Sequence, residues 1–299
     1  MIKPFLKWAG GKGQLLSEIE SRYPFSKYDV KRYVEPFVGG GAVLFSILSS
    51  APDLEEIYIN DINRDLTDAY IAVRDSIDQM ILLLSQMEQD FLPKDEEARK
   101  VYFYEKRDRF NELKFAKKLT VDDRAEKSAT LIFLNRTCFN GLYRVNRKGA
   151  YNVPMGRYKI PTICNEANLR AVSEKMQRVN VLCAPYEELR SVIDDKTFVY
   201  IDPPYRPLTR TADFTSYTNV EFGDEQQKQL AQFSVDMSDK GALLLVSNSD
   251  PKNVDPEDNF FEDIYTGFTI DRVYATRMIN SKATARGKIT ELLMYNYDI

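Results

Sequence analysis

The 299-residue sequence contains no histidine. That one absence removes Ser-His-Asp and Cys-His nucleophile pairs, histidine-ligated metals and imidazole acid–base chemistry. Cysteine is scarce: Cys138, Cys164 and Cys183 are widely spaced and form no Cys-x-x-Cys pair. Neither a disulfide framework nor a zinc site is therefore expected, and the three read as buried thiols with no metal at the site. No apolar run approaches the ~20 residues a helix needs to span a bilayer, and the opening Met1-Ile2-Lys3-Pro4-Phe5-Leu6-Lys7 lacks the apolar stretch of a signal peptide. A cytoplasmic location with no membrane partner is the expectation. No obligatory protein partner is evident either. What is present is ample apolar material, 43% of residues, enough to bury the core of one large domain or two smaller ones.

The net charge of −4 argues against wholesale attraction to a polyanion, but the charge is unevenly placed. From Lys127 to Asn165 there is no acid, while Lys127, Arg136, Arg144, Arg147, Lys148, Arg157 and Lys159 supply positive charge among Phe133, Phe139, Tyr143, Tyr151 and Tyr158. A second acid-free window, Arg272 to Thr290, carries Arg272, Arg277, Lys282, Arg286 and Lys288. Basic side chains interleaved with aromatics suit nucleic acid.

A first strand, Arg32 to Glu35, runs into Pro36-Phe37-Val38-Gly39-Gly40-Gly41 and then a helical Ala42 to Leu48. Glycines at such a turn permit positive φ and let a ligand approach the backbone. A second strand, Ile57 to Asn60, delivers Asp61, at the offset where an acid binds ribose hydroxyls in dinucleotide-like sites. Leu44 stands where a third spaced glycine would be, so a nucleoside is a better fit than a pyrophosphate. Lys7-Trp8-Ala9-Gly10-Gly11-Lys12 is not a phosphate loop, because Leu6 and Gly13 occupy the positions of its first glycine and its hydroxyl residue. Further strands are predicted at Val179 to Cys183, Thr197 to Ile201 and Ala242 to Val246. A closing hairpin is predicted from Thr269 to Thr276 and Ile289 to Tyr297. With helices at Asn165 to Arg178 and Asp224 to Asp239, this is an α/β sheet with crossover helices.

Between Arg64 and Asn165 strand signals fade into helical segments at Leu66 to Phe91, Glu96 to Lys118 and Val121 to Thr137, a mainly helical insertion. Thr120 and Asp123 resemble a helix-start box. Phe139 to Pro154 alternates around turn residues as a basic hairpin.

Asp202-Pro203-Pro204-Tyr205 follows the apolar run Thr197 to Ile201. Two prolines stiffen the turn and donate no hydrogen bond, so a carboxylate, carbonyl acceptors and an aromatic face converge. That combination suits methylation of a flat amine, and methyl transfer from a sulfonium donor needs no histidine.

Lys7 to Lys12, Glu35 to Gly41, Asn60-Asp61, Asn140-Gly141-Leu142-Tyr143-Arg144, Asn152 to Tyr158, Asp202 to Tyr205 and Phe214-Thr215-Ser216-Tyr217 together resemble a Dam-type DNA adenine-N6 methyltransferase, in the family's order and over nearly the whole chain. The resemblance implies a Rossmann-like methyltransferase sheet. Residues 1–63 and 166–299 would form a catalytic, S-adenosylmethionine-binding domain, and 64–165 a target-recognition domain. It puts Trp8, Lys12, Phe37, Gly39, Gly41, Asp61 and Asp202 at donor-binding positions and Asp202, Pro203, Pro204 and Tyr205 at the catalytic turn. Lys7, Asn140, Leu142, Arg144, Pro154, Arg157 and Tyr158 fall at positions contacting double-stranded DNA, several of which read GATC. Phe139 matches an aromatic that fills the stack vacated by a flipped base. Arg147, Lys148 and Lys159 suit phosphate contacts. One departure is Ala184-Pro185-Tyr186, where relatives often carry Asp before an aromatic, so adenine of the donor would be contacted there by backbone or by stacking on Tyr186. Methylation of cytosine's exocyclic amine, a catalytically silent DNA-binding module, and a protein or RNA methyltransferase remain as alternatives.

Overall fold

The computed structural model describes residues 2–50, 54–206, 222–276 and 288–299. Seven strands form one sheet: β1 (Arg32–Glu35), β2 (Glu56–Asn60), β3 (Val179–Leu182), β4 (Thr197–Ile201), β5 (Leu243–Ser249), β6 (Thr269–Thr276) and β7 (Lys288–Tyr295). Their order is β3-β2-β1-β4-β5-β7-β6. The first five in that order are parallel, and the predicted closing hairpin is the antiparallel pair β6/β7, with β7 antiparallel to β5. All five residues of β4 are buried, as a central strand covered on both faces requires. The chain reverses direction of winding between β1 and β4, and the loops leaving the carboxyl ends of those strands therefore border one crevice, where α/β sheets bind ligands.

The helices are α1 (Leu16–Glu20), α2 (Ala42–Ser50), α3 (Arg64–Asp75), α4 (Ile77–Phe91), α5 (Glu96–Lys114), α6 (Val121–Thr137), α7 (Glu166–Met176), α8 (Asp224–Asp239) and α9 (Phe260–Ile264). The expected box starts α6: the Thr120 hydroxyl accepts from Asp123 N, and the Asp123 carboxylate accepts from Thr120 N. The predicted segment Leu66 to Phe91 is two helices, because Ser76 leaves helical geometry (φ −135°, ψ 38°). The break lets α3 and α4 each pack on α6 and α7, with α3 also against β3.

The predicted basic hairpin is not a strand ladder. Two isolated bridges, Cys138 with Met155 and Val145 with Tyr151, close it. Phe139 to Gly141 forms a tight turn with Asn140 at φ 56°, and the backbone groups of Tyr151 are taken by the Asn111 side chain of α5 at 2.7 and 3.1 Å. Groups satisfied by a helix are not available for a ladder.

A continuous buried cluster extends from Phe5, Tyr33 and Phe198 at the sheet through Tyr70 and Met80 to Phe103, Phe110 and Phe133 in the helices. The opposite face of the sheet buries Val34, Val199, Ile201, Phe233 and Phe261. Of the three cysteines, all free thiols, only Cys138 is fully buried; Cys164 and Cys183 are partly exposed.

Candidate active site and nucleic-acid interface

On one side of the crevice, the turn after β1 approaches the carboxylate after β2. Asp61 accepts hydrogen bonds from Gly39 N (3.2 Å) and Asn63 N (2.9 Å). Burial pushes its carboxyl up to about 6, against the pull of those two N–H groups. Gly39 and Gly41 adopt φ of +48° and +74°, and a Cβ on Gly41 would lie 2.5 Å from the Tyr70 hydroxyl, so a side chain there has neither the backbone geometry nor the room. Trp8 lies against this turn. Phe37 is half-buried and packs on Tyr186 with ring centroids 5.4 Å apart, so the segment that lacks the family's Asp still supplies an aromatic wall. Asn60, missed as a positioning group in the sequence, holds three strand ends together: it donates to the Pro36 and Ala184 carbonyls, and its Oδ1 accepts from Ala184 N, each at 3.0 Å.

Asp202 stands across this crevice at the end of β4. Its Oδ1 accepts from Lys12 Nζ at 2.7 Å and from Ser247 Oγ at 2.9 Å. Burial raises the Asp202 carboxyl, and the Lys12 ammonium and the Ser247 hydroxyl draw it back down. Lys12 also donates to the Gly10 carbonyl at 2.9 Å and sits 4.5 Å above the Tyr205 ring. The Tyr205 hydroxyl donates to Glu291 of β7 at 2.6 Å, which fixes the ring from behind. Gln227 of α8 donates to the Pro204 carbonyl at 2.9 Å. Beside Tyr205 opens a cleft of about 400 Å³ whose walls include Lys12, Ser249, Asn253, Thr290 and Glu291. Ser247 and Glu291 were invisible in the sequence, because no motif links them to residues 45 and 86 positions away.

The residues expected to meet DNA gather around the N-terminus of the 139–158 loop. Lys7 Nζ lies 4.8 Å from the Tyr158 ring, and its stem packs so closely on Gly141 that a Cβ there would come within 2.4 Å. Phe139 N donates to the Pro154 carbonyl at 2.9 Å, and the Phe139 side chain is 52% exposed. Asn140, Pro154 and Arg157 are exposed, and Leu142 is half-buried. Arg144 is exposed and directed along the loop by Asn152, whose Oδ1 accepts from its Nε at 2.8 Å. Arg147, Lys148 and Lys159 are exposed.

Two charges of the first basic window are not surface charges. Lys127 is buried between Asp65 (3.1 Å) and Asp68 (2.6 Å), and Arg136 donates to the Phe5 carbonyl. In the second window Arg272 pairs with Asp250 and Glu262. Arg277, Lys282 and Arg286, the Lys288 side chain, and Phe214-Thr215-Ser216-Tyr217 lie outside the described residues.

This strand order, with a glycine turn after β1, a carboxylate after β2 and Asp-Pro-Pro-Tyr after β4, defines an α/β methyltransferase. The chain belongs to the D12 class of N6 adenine-specific DNA methyltransferases, whose family pattern it matches over residues 8–279. It is 47% identical to the Type II methyltransferase M.MjaIII of Methanocaldococcus jannaschii, over 99% of both chains. It is 36% identical to the Type II methyltransferase M1.LlaDCHI of Lactococcus lactis subsp. cremoris, over 99% of this chain and 96% of that one. The DNA adenine methylase of Escherichia coli K12 is 33% identical over 97% of this chain and 94% of that one. No helix among the described residues is long and apolar enough to cross a membrane.

Proposed function

We propose that the protein methylates N6 of adenine in duplex DNA within GATC, using S-adenosylmethionine and flipping the target base out of the helix. The observation that carries this is Asp202: among the described residues the hydrogen bonds to its carboxylate fall on Oδ1, so in this reading Oδ2 and the neighbouring Pro203 carbonyl are the acceptors beside the Tyr205 ring. An adenine amine has two hydrogens, and its lone pair is delocalised into the ring. Accepting those hydrogens draws the nitrogen toward pyramidal geometry and frees the lone pair, an electrostatic effect that strengthens as charge develops. Tyr205 offers the stacking face, which offsets part of the flipping cost of a few kcal/mol, roughly. Phe139, exposed at the start of the loop, is the side chain suited to fill the vacated stack.

The residues fit the donor: Asp61 for ribose hydroxyls, Phe37 and Tyr186 for an adenine face, and the Gly39–Gly41 turn for close backbone approach. When bound, S-adenosylmethionine supplies a methyl group already activated on a sulfonium. In this reading residues 64–165 recognise the target and residues 1–63 with 166–299 carry the chemistry. The test is methylation of a plasmid in the presence of labelled donor, followed by base-resolution mapping. N6-methyladenine confined to GATC supports the donor, base and sequence assignments. Label in cytosine, or in adenine at unrelated sequences, overturns the base or the sequence assignment respectively.

A further inference from the structure

Tyr143 touches both arms of the donor side. Its ring lies 5.2 Å from the Trp8 ring, tilted by 30°. Trp8 in turn seals the glycine turn: a Cβ on Gly39 would sit 3.2 Å from the Trp8 Cδ1, and one on Gly40 would sit 3.0 Å from its Cβ. The Tyr143 hydroxyl donates to Asp65 Oδ2 at 2.7 Å. Asp65 belongs to the same short turn as Asp61, with the α3 cap between them: Asn63 N donates to Asp61 at 2.9 Å, and Asn63 Oδ1 accepts from Asp65 N at 3.0 Å. Asp65 cannot drift, because it is buried and paired with both Lys114 and Lys127, the latter also holding Asp68. Tyr143 itself is 4% exposed and is backed by the Tyr151 ring at 5.8 Å.

The chain neighbours of this anchored side chain are Leu142 and Arg144, two of the residues placed at the DNA face. We infer that Tyr143 is a positioning residue that couples duplex binding to donor binding; this rests on the functional reading above. A duplex that restrains Leu142 and Arg144 also restrains the ring that holds Trp8 over the glycine turn and the hydroxyl that holds the Asp61–Asp65 turn. The ordering of these elements is then shared between the two ligands, so each tightens the other by the same factor. No change of overall conformation is required.

Trp8 is the chain's single tryptophan, so its emission reports on the site. S-adenosylhomocysteine is titrated against the full-length protein with and without a GATC duplex, in wild type, Tyr143→Phe and Tyr143→Leu. In the wild type the duplex tightens S-adenosylhomocysteine by about fivefold or more, the lower range of ordinary allosteric coupling. Tyr143→Phe keeps the ring over Trp8 but loses the grip on Asp65, so the ratio of the two Kd values falls well below that of the wild type. In steady state its donor KM rises roughly tenfold, with kcat changed far less. Tyr143→Leu additionally shifts the Trp8 emission to the red. A wild-type ratio near one, or a wild-type ratio retained in Tyr143→Phe, overturns the coupling; Tyr143→Phe decides even where Tyr143→Leu fails to fold. Wild-type methylation is assayed separately: its absence overturns the functional reading, whereas intact methylation with an unchanged Kd ratio overturns the coupling alone.

Discussion

Lys12 keeps Asp202 in the form that can accept hydrogen bonds. Burial favours the protonated acid, and the ammonium at 2.7 Å opposes it. Lys12→Met therefore raises the Asp202 pKa further and moves the acid limb of the kcat–pH profile upward. Turnover should fall by roughly 10²-fold, with a larger loss at pH 6 than at pH 9; a uniform loss at all pH values would show that Lys12 acts otherwise. Burial pushes the Asp61 carboxyl up to about 6, so below that pH it becomes protonated and the proposed contact with ribose hydroxyls loses an acceptor. Donor affinity should be flat above pH 6 and weaken toward tenfold per pH unit below it. Asp61→Ala should weaken donor binding and abolish this dependence, as donor titrations from pH 5 to 8 would show. Asp61, Asp202 and the glycines were legible because each lies in a contiguous motif at a strand end. Ser247, Glu291 and Asp65 were not, because their partners Asp202, Tyr205 and Tyr143 lie 45, 86 and 78 positions away, and only the packed sheet brings them together.

At the scale of elements, the strands and the α6 start could be read from the sequence because apolar alternation and caps are local. The Ser76 break could not, since the apolar pattern continues across it and packing against α6 and α7 decides the direction. The same limit applies to the 139–154 loop, where Asn111 of another helix consumes the groups a hairpin would pair. Within that loop two exposed cations have different settings. Arg144 is held in place by Asn152, whereas Lys148 stands in the turn closed by Asn146, which accepts from the backbone N of Lys148 and Ala150. Arg144→Ala should relax preference at one base pair, with about 1 to 3 kcal/mol lost on the cognate site. Lys148→Ala should weaken all sequences alike and reduce the slope of log affinity against log salt by about one unit. Methylation of single-base variants of GATC, with binding across a salt series, separates them; equal loss on every sequence for Arg144→Ala would make it a backbone contact.

For the whole molecule, the helices between β2 and β3 share a buried cluster with the sheet, and the Lys127 ion pairs tie α6 to α3 among them. Lys127→Met leaves two buried carboxylates short of a partner. It should destabilise the protein by roughly 3 kcal/mol, the low end for a broken buried pair, because Lys114 and Arg124 still reach Asp65 and Asp68. Because the core is continuous, calorimetry should show one transition at a lower Tm; two separated transitions would mean that the helical part folds on its own. The net charge of −4 misdescribes such a molecule: Lys127 and Arg136 serve the interior, whereas Arg144, Arg147, Lys148, Arg157 and Lys159 are exposed on one loop.

The Lys12–Asp202 pair has one more consequence, for which amines the crevice admits. An alkylamine such as the lysine side chain is cationic at neutral pH, and to approach Asp202 it must come up against a fixed ammonium already 2.7 Å from that carboxylate. The exocyclic amine of a nucleobase is neutral and meets no such repulsion. The resident ammonium should therefore disfavour protonated amines before any question of shape arises, and with donor present but no DNA a lysine-rich peptide should accept no label at neutral pH.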